Sequence, residues 1–330
     1  MKLHNMIVAG LVALTGFAYA QQPAKTQGLV AVVQANEKAK PVKRMITRAD
    51  GKDTYVFFDA SDETEKKGNA AKARLFFLQT PVDLAEAERA LNARDFAAAR
   101  TQLGAVKTKY ASFVGLDRNP STRAAMLELE CAVRQLDFAA LKTLVGSFQH
   151  ADWLSLEDRG KYMAAGILAK ACTGAAADAV VADVDKLLAA NAGKTLNGSC
   201  YGWLQYAIAY STAAAIPAAE ISGTISEANV AAAHSAIDAY CRAGVSSHGS
   251  AMELPADAMA RAQALLWAMP GVKDYAAKAS PMDANKWNAA PANFRDAVAL
   301  AYMLKNVFDT SNATVDEAAK YFFNTRAGKE

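Results

Sequence analysis

Apolar residues follow two different periods along the chain. Between Leu29 and Pro81 they alternate with polar residues and are rich in β-branched and aromatic types, which is typical of strands. From Val82 to the end they recur every three to four residues, the spacing of an amphipathic helix. The pattern therefore predicts a mainly α-helical protein with a small β-containing module at its N-terminal end.

The N-terminal module is predicted to hold four strands, one hairpin and one exposed loop. The strands are the runs LVAVVQ from Leu29, VKRMITR from Val42, DTYVFF from Asp53 and RLFFLQ from Arg74. Asp50-Gly51, between the second and third runs, is a strong hairpin signal. The charged stretch SDETEKKGN, residues 61–69, is predicted to be the loop. A unit this small buries too little core alone, so we expect it to pack against the helices that follow.

Eleven helices are predicted in the second part of the chain. Two of them, at Ser155 and Thr314, begin with a capping residue followed by acidic residues in the first turn. Most connections are short, which predicts antiparallel helical hairpins. The predicted helices cover residues 82–93, 95–110, 121–135, 138–149, 155–171, 175–190, 201–214, 226–243, 255–268, 292–308 and 314–325.

One segment of the helical part repeats. Residues Ala90–Gly104 (ALNARDFAAARTQLG) align with Ala132–Gly146 (AVRQLDFAALKTLVG) at an offset of 42 residues. A fixed period of about 20 to 50 residues is the mark of a solenoid, in which each hairpin buries its apolar face on the next. The alternative is coincidence, because Asp-Phe-Ala-Ala is a favourable helix start in any alanine-rich chain.

The repeated segment resembles a known family. In both copies an aspartate and an aromatic residue, Asp95-Phe96 and Asp137-Phe138, open the second helix of a hairpin, as in tetratricopeptide repeats. The first copy continues that family's pattern with Ala99, Leu103 and Val106. The resemblance covers residues 82–148, with a period of 42 instead of about 34 and Leu141 in place of a small residue. It implies a right-handed stack of antiparallel helical hairpins, a TPR-like α-solenoid, whose groove binds a protein or peptide, and it implies no catalytic residues.

The first twenty residues have the form of a secretory signal peptide. Lys2 precedes an apolar run from Met6 to Phe17, and Ala18-Tyr19-Ala20 is a small-x-small cleavage site. We therefore predict cleavage between Ala20 and Gln21. An uncleaved anchor is the alternative, but about a dozen apolar residues is short for a bilayer that needs roughly twenty. The predicted organisation is a signal peptide over 1–20, a β-containing module over 21–81 and a helical repeat domain over 82–330, in a protein exported to the periplasm or the medium, with no membrane span in the mature chain.

Composition and charge narrow the class of protein. The chain has 330 residues, 75 of them alanine, with 52% hydrophobic residues, 21% charged residues and a formal net charge of +3. Alanine favours helices because it loses no side-chain entropy on folding. So many apolar residues argue against disorder. The near-neutral charge lacks the basic footprint of a nucleic-acid binder.

Four cysteines form two equally spaced pairs. Cys131 and Cys172 are 41 residues apart, as are Cys200 and Cys241. In an exported protein of stacked hairpins, this spacing predicts disulfides 131–172 and 200–241. Two alternatives stay open, namely a 172–200 bridge and free buried thiols. A zinc site is not predicted, because no cysteine or histidine stands at ligand spacing.

Three aromatic residues lie on one face of a predicted helix. Trp203, Tyr206 and Tyr210 follow the spacing i, i+3, i+7. They can form a stacking platform for a sugar or an apolar anchor for a peptide, or they can pack in the core. The histidines, serines and glycines match no catalytic or nucleotide-binding motif. Glu128 and Glu130 point to different sides of one helix, so they form no acid pair. The sequence thus predicts no catalytic, cofactor-binding or metal-binding residues.

Two functions fit these observations. The first is an exported, non-enzymatic helical-repeat protein that binds a protein or peptide as an assembly scaffold in the periplasm or cell envelope, without a cofactor. The second is an exported carbohydrate-active enzyme built on helical hairpins. An enzyme of that kind needs two carboxyl groups about 5 to 10 Å apart, so an open cleft with an aromatic platform beside two converging acids would favour it.

Overall fold

A computed structural model describes residues 28–322 except 37, 60, 62, 79, 191, 192, 195, 248–250 and 281. Of these residues 63% are helical, and a small antiparallel sheet lies at the N-terminal end. The predicted mainly helical class is therefore confirmed. The predicted signal peptide and its cleavage site lie outside the described residues.

Fourteen α-helices are found among the described residues. They are α1 Val82–Asn92, α2 Phe96–Lys109, α3 Pro120–Arg134, α4 Phe138–Gly146, α5 Leu156–Cys172, α6 Ala177–Ala189, α7 Gly198–Ala213, α8 Ala218–Ser222, α9 Val230–Ser246, α10 Glu253–Trp267, α11 Val272–Ala279, α12 Ala284–Ala289, α13 Ala292–Val307 and α14 Ala313–Ala319. Each of the eleven predicted helices overlaps one of them. The three that the sequence did not predict, α8, α11 and α12, are too short to show a clear helical period.

Five strands form one sheet in the order β4-β3-β2-β1-β5, with every neighbouring pair antiparallel. They are β1 Leu29–Gln34, β2 Val42–Ala49, β3 Thr54–Asp59, β4 Thr64–Asn69 and β5 Arg74–Phe77. The predicted hairpin at Asp50-Gly51 is confirmed, since the amide of Asp50 donates to the carbonyl of Thr54 at 2.8 Å. Gly51 adopts a φ of +80°, which favours glycine.

The predicted loop over residues 61–69 is wrong for its last six residues, which form strand β4. Its sequence TEKKGN has no apolar alternation, so the hydrophobic pattern did not register it. Pairing with β3 forms the strand, helped by cross-strand ion pairs of Lys66 with Asp59 at 2.8 Å and Arg48 with Glu65 at 2.7 Å. Such charges suit a sheet edge, because they oppose further strand pairing.

The inner face of the sheet packs on the first helices, as expected for so small a module. Ile46 and Phe57 share a core cluster with Leu84 of α1 and Leu103 of α2. The hairpin tip is also fixed, because the amide of Asp53 donates to the carbonyl of Gly115 at 2.9 Å. Gly115 has a φ of +105°, and a Cβ there would lie 2.5 Å from the carbonyl oxygen of Gly51. Only glycine fits this junction without strain.

The repeated segment forms the same turn twice. In each copy the aspartate carboxylate accepts a hydrogen bond from the amide three residues on, Asp95 from Ala98 at 3.1 Å and Asp137 from Ala140 at 3.0 Å. These bonds satisfy amides that the start of a helix leaves without partners. The residue before each aspartate is left-handed, with a φ of +63° at Arg94 and +56° at Leu136. The sequence repeat is therefore also a structural repeat.

A third hairpin, α5–α6, has a related turn without the sequence signal. Gly174 takes the left-handed conformation, with a φ of +106°, and the amide of Ala175 donates to the carbonyl of Lys170 at 3.2 Å. The corresponding bonds in the first two turns join Asp95 to Ala90 and Asp137 to Ala132. A glycine makes this turn without an aspartate cap, which is why residue matching stops after two copies.

Helix contacts lead round a circuit. Helix α3 contacts α5, α5 contacts α7, α7 contacts α9, α9 contacts α10, and α10 returns to α3. Gly198 and Gly202 let α7 approach the end of α9, since added Cβ atoms would lie 2.6 Å from the Ser246 carbonyl oxygen and 2.0 Å from the Ser247 Oγ. The right-handed solenoid stack stays a prediction. In the described part of the chain, no helix has both the length and the apolar character needed to cross a bilayer.

Candidate functional site: a groove and a cleft on the helical domain

The larger cavity lies between the first two hairpins and has a volume of about 480 Å³. We call it the hairpin groove. Helices α2 and α4 both pack on α3, but α4 has only 9 residues and α2 has 14. The shorter α4 leaves part of the α3 surface uncovered, and this uncovered surface is the groove. Its apolar lining comes from Ala125, Leu129, Leu144 and Phe148. This surface lies within the segment that resembles tetratricopeptide repeats.

The polar wall of the groove is held by an ion pair whose carboxylate is buried and whose ammonium is half-exposed. The Lys107 ammonium donates to the Glu128 carboxylate, whose residue is only 7% exposed. Ser121 donates to the Lys107 carbonyl at 2.8 Å and fixes the end of α2 against α3. Glu130, two residues after Glu128, lines a different cavity, so the expected divergence of these two acids is confirmed. Glu128 is the one carboxylate in the groove lining, and it is already paired with Lys107. The groove therefore offers a partly apolar surface to a ligand and no pair of acids.

His150 and Trp153 lie at the mouth of the groove and beside the sheet junction. Their rings stack with centroids 3.9 Å apart. His150 is exposed in the loop after α4 and lines the groove. His234 is exposed on α9. His248 lies outside the described residues.

A smaller cleft of about 230 Å³ lies between α3, α5, α7 and the start of α10. We call it the ring cleft. Glu130, Arg134, Lys161, Cys200 and Trp203 line it. The Lys161 ammonium donates to Glu130 at 2.8 Å and lies 5.8 Å from the centre of the Trp203 ring.

An ion-pair latch borders the ring cleft and joins α10 to the first two hairpins. Arg134 donates to both carboxylate oxygens of Glu253, at 3.3 and 3.2 Å, and Arg94 approaches the same carboxylate at 3.0 Å. The side chains of Arg134 and Glu253 are 10% and 15% exposed. A fork of this kind fixes geometry as well as charge. Glu130 and Glu253 are therefore both engaged by cations of the chain itself.

The predicted aromatic stripe lies mostly inside the protein. Trp203 and Tyr206 are 5% and 0% exposed, and Tyr210 is half-buried. The Tyr206 ring lies 5.7 Å from Phe138 and 5.5 Å from Tyr240. These contacts favour core packing among the two interpretations of the stripe. Trp203 alone of the three also lines the ring cleft.

A polar seam on α10 faces this stripe and was missed by sequence reasoning. Asp257 accepts hydrogen bonds from the Tyr206 hydroxyl and, at 2.6 Å, from Arg261, whose guanidinium lies 5.1 Å from the Tyr210 ring centre. Burial, reinforced by the Asp257 charge, raises the pKa of Tyr206 and keeps its proton on the hydroxyl. The spacing of Glu253, Asp257 and Arg261, four residues apart, was the available signal.

All four cysteines are free thiols, so neither predicted disulfide is present. The charged groups near Cys200 include Lys161 and Glu130, whereas those near Cys241 are Asp238 and Asp296, so the two thiols have different surroundings. Shared helix ends are not enough for a bridge, because the sulfur atoms must also point toward each other.

The other pair is separated as well. Cys131 lies against the carbonyl of Phe96 at 3.8 Å, while Cys172 lies near Arg261 and Asp257. Burial raises the pKa of Cys172 to about 12 and that of Cys200 to about 11. Burial also raises the pKa of Cys131 and of Cys241. The thiols thus behave as small apolar groups.

No group of three or more histidine, cysteine and acidic side chains suited to a metal ion occurs among the residues that the structure describes. No protein-family model, curated protein or solved structure matches the chain. The function of the chain is therefore inferred from the groove and the cleft themselves.

Proposed function

We propose that this chain is an exported, non-enzymatic helical-repeat protein that binds a segment of a partner protein in the hairpin groove. In this proposal the signal peptide directs it to the periplasm or cell envelope, and its hairpins stack right-handedly as a TPR-like solenoid. It acts there as a binding or assembly scaffold without a cofactor.

The observation that carries the proposal is the groove between two repeats. Its volume of about 480 Å³ is within the range of ligand sites, roughly 300 to 1,000 Å³. Ala125, Leu144 and Phe148 form a partly exposed apolar floor over the buried Leu129, while Thr108, Ser147 and Gln149 supply exposed polar groups at the rim. An apolar floor with a polar rim is the usual anatomy of a peptide-binding surface.

The enzyme alternative has less support. Trp203 and Glu130 do share the ring cleft, an aromatic ring beside an acid. Glu130, however, is bound to Lys161, and the neighbouring Glu253 is bound to Arg134 and Arg94. A glycosidase offers its two carboxyl groups to the substrate. Measurable hydrolysis on a panel of envelope glycans, abolished by Glu130→Gln, would favour the enzyme over the scaffold.

A peptide library tests the scaffold directly. Peptides are first selected for binding to the wild-type chain. Their affinity is then measured for the wild type, for Ala125→Trp, whose side chain fills the groove, and for the control Val181→Trp at an exposed position of α6. We expect Ala125→Trp to weaken binding by at least about ten-fold, corresponding to about 1.4 kcal/mol, and Val181→Trp to leave it unchanged. Peptides that bind both variants equally well would exclude the groove as their site.

A further inference from the structure

The outer face of the sheet exposes a row of large apolar side chains. Side chains alternate between the two faces of a strand, so residues whose neighbours pack on the helices point outward. The exposed fractions are 48% at Val30, 43% at Met45, 36% at Phe58, 45% at Phe76 and 46% at Leu78. We call these five residues the outer sheet face.

The row is continuous across the strands. Val30 of β1 pairs with Met45 of β2, and Met45 pairs with Phe58 of β3. On the other side, Phe76 of β5 pairs with Val32 of β1, and the Leu78 amide donates to the Val30 carbonyl at 3.0 Å. Contiguous apolar exposure of this kind marks an interaction surface, whereas single exposed residues are ordinary.

The charges on the same face are mostly positive. By the strand registers, Lys43, Arg48, Lys67 and Arg74 point outward with the apolar row. Two acids meet these four cations, since Glu65 pairs with Arg48 and Asp50 pairs with Lys67. The module over residues 28–81 has 10 basic and 7 acidic residues, whereas residues 82–330 have 24 basic and 26 acidic residues. The outer face thus carries part of the basic excess of the module.

We propose that the outer sheet face docks on an anionic lipid surface. Its apolar side chains would enter the boundary between headgroups and acyl chains, and the net positive charge of the face, with Lys43 beside the apolar row, would lie at the lipid phosphates. Charge complementarity favours this occupant over a second copy of the chain, because two such faces in contact would place like charges together. The proposal is independent of the groove and would hold the protein at a membrane while the helical domain stays accessible.

Vesicle sedimentation of the full chain tests the proposal. The probes are vesicles of phosphatidylglycerol with phosphatidylcholine and vesicles of phosphatidylcholine alone. Lys43→Glu and the double variant Met45→Ser/Phe76→Ser change the face, and Lys186→Glu and Val181→Ser/Val307→Ser are matched changes on exposed helical positions. All variants carry the same residues 1–27, so any membrane affinity of that segment cancels in the comparison.

We expect the wild-type chain to sediment with the anionic vesicles and to be released by salt. Removing one cation weakens such binding about five-fold, so the charge reversal Lys43→Glu should weaken it by about 25-fold. The double serine variant should weaken it by at least about ten-fold. The two matched controls and the groove variant Ala125→Trp should bind as the wild type does, which separates this test from that of the proposed function.

Three outcomes would overturn the lipid proposal. One is equal binding to neutral and anionic vesicles. Another is an equal loss in the matched controls. The third is sedimentation-equilibrium evidence that the wild-type chain self-associates and that Met45→Ser/Phe76→Ser abolishes it, which would assign the face to a second copy. Lys43→Glu changes an exposed residue, so it should leave the circular dichroism of the fold unchanged.

Discussion

The first two hairpins and the later helices α7, α9 and α10 are both built from packed helices, but they differ in how closely neighbouring helices approach. In the hairpins, two aspartate-capped turns recur and the gap between α2 and α4 stays open as a groove. In the later helices, Gly198 and Gly202 let the backbone of α7 approach the end of α9 closely, and Tyr206 of α7 is buried with its hydroxyl bonded to Asp257 of α10. A repeated turn therefore defines a hairpin, while the residues between hairpins decide whether the surface is open or closed.

The difference also separates two kinds of residue. Groove residues such as Ser147 and Gln149 are exposed, so they are available to a partner. Core residues of α10 such as Trp267 are buried and contribute to stability. Substitutions in the two regions can test whether this division holds.

The largest contrast is expected between Trp267→Ala and Phe148→Ala. Trp267 is 2% exposed and packs on Phe294, so its removal should cost about 3 to 5 kcal/mol of unfolding free energy. Phe148 is half-buried on the groove wall, and its removal should cost about 1 kcal/mol. Urea denaturation monitored by circular dichroism measures both. Equal losses would mean that the groove wall is part of the main core.

Thiol titration tests whether the four cysteines are free and whether they are buried. In denaturant without reductant, four thiols should react with a chromogenic disulfide reagent, whereas the two disulfides predicted from the sequence would leave none. In the folded protein at neutral pH, Cys172 should alkylate about 1,000-fold and Cys200 about 100-fold more slowly than an ordinary thiol, because burial raises the pKa to about 12 and about 11 and depletes the thiolate. The rates should rise with pH toward those values. Fast alkylation at neutral pH would contradict the burial.

The latch of Arg134 with Glu253 should contribute more to the free energy of unfolding than the ion pair of Arg100 with Asp137, which joins the two repeats. Glu253→Gln removes the partner of mostly buried Arg134 and should cost about 2 kcal/mol, less than a fully buried pair. Arg100→Gln breaks the half-exposed pair of Arg100 with Asp137 and should cost less than about 1 kcal/mol. Chemical denaturation of the two variants in parallel checks the order. If Arg100→Gln were the more damaging, α10 would not hold the circuit closed.

Effects comparable to the loss of the Arg100 pair are expected at the two repeat caps. Asp95→Ala removes one capping hydrogen bond and should cost about 1 kcal/mol. Asp137→Ala removes the equivalent bond together with the Arg100 ion pair, so it should cost up to about 1 kcal/mol more. Asp95→Asn should stay close to the wild type, because asparagine caps equally well. Thermal unfolding of the three variants measures this. A difference between the two alanine variants that exceeds the cost of Arg100→Gln would mean that the turns are equivalent in sequence only.

Much of the fold was predictable because its signals are local. The change of apolar period at Val82 and the Asp50-Gly51 turn each act over a few residues, and each prediction is confirmed. Strand β4 was missed because its stability comes from pairing with β3. The third hairpin turn was missed because Gly174 replaces the aspartate signature.

The candidate site was less predictable because it depends on distant contacts. The resemblance directed attention to residues 82–148, where the groove lies, but the uncovered surface follows from the short α4 and its placement beside α2. The latch joins residues 119 positions apart, Arg134 and Glu253. The aromatic stripe was recognised as one face, yet whether that face is open or buried depends on α10.

Site-specific photo-cross-linking in cells that produce the protein naturally is the most direct test of the groove as a binding surface. A photoreactive residue is placed at Thr108 or Ser147 on the groove rim, or at Lys186 on α6 as the control. We predict that both rim positions yield an adduct with the same partner protein, that Ala125→Trp removes it, and that Lys186 yields none. Adducts that appear equally at Lys186, or that persist in Ala125→Trp, would contradict the account.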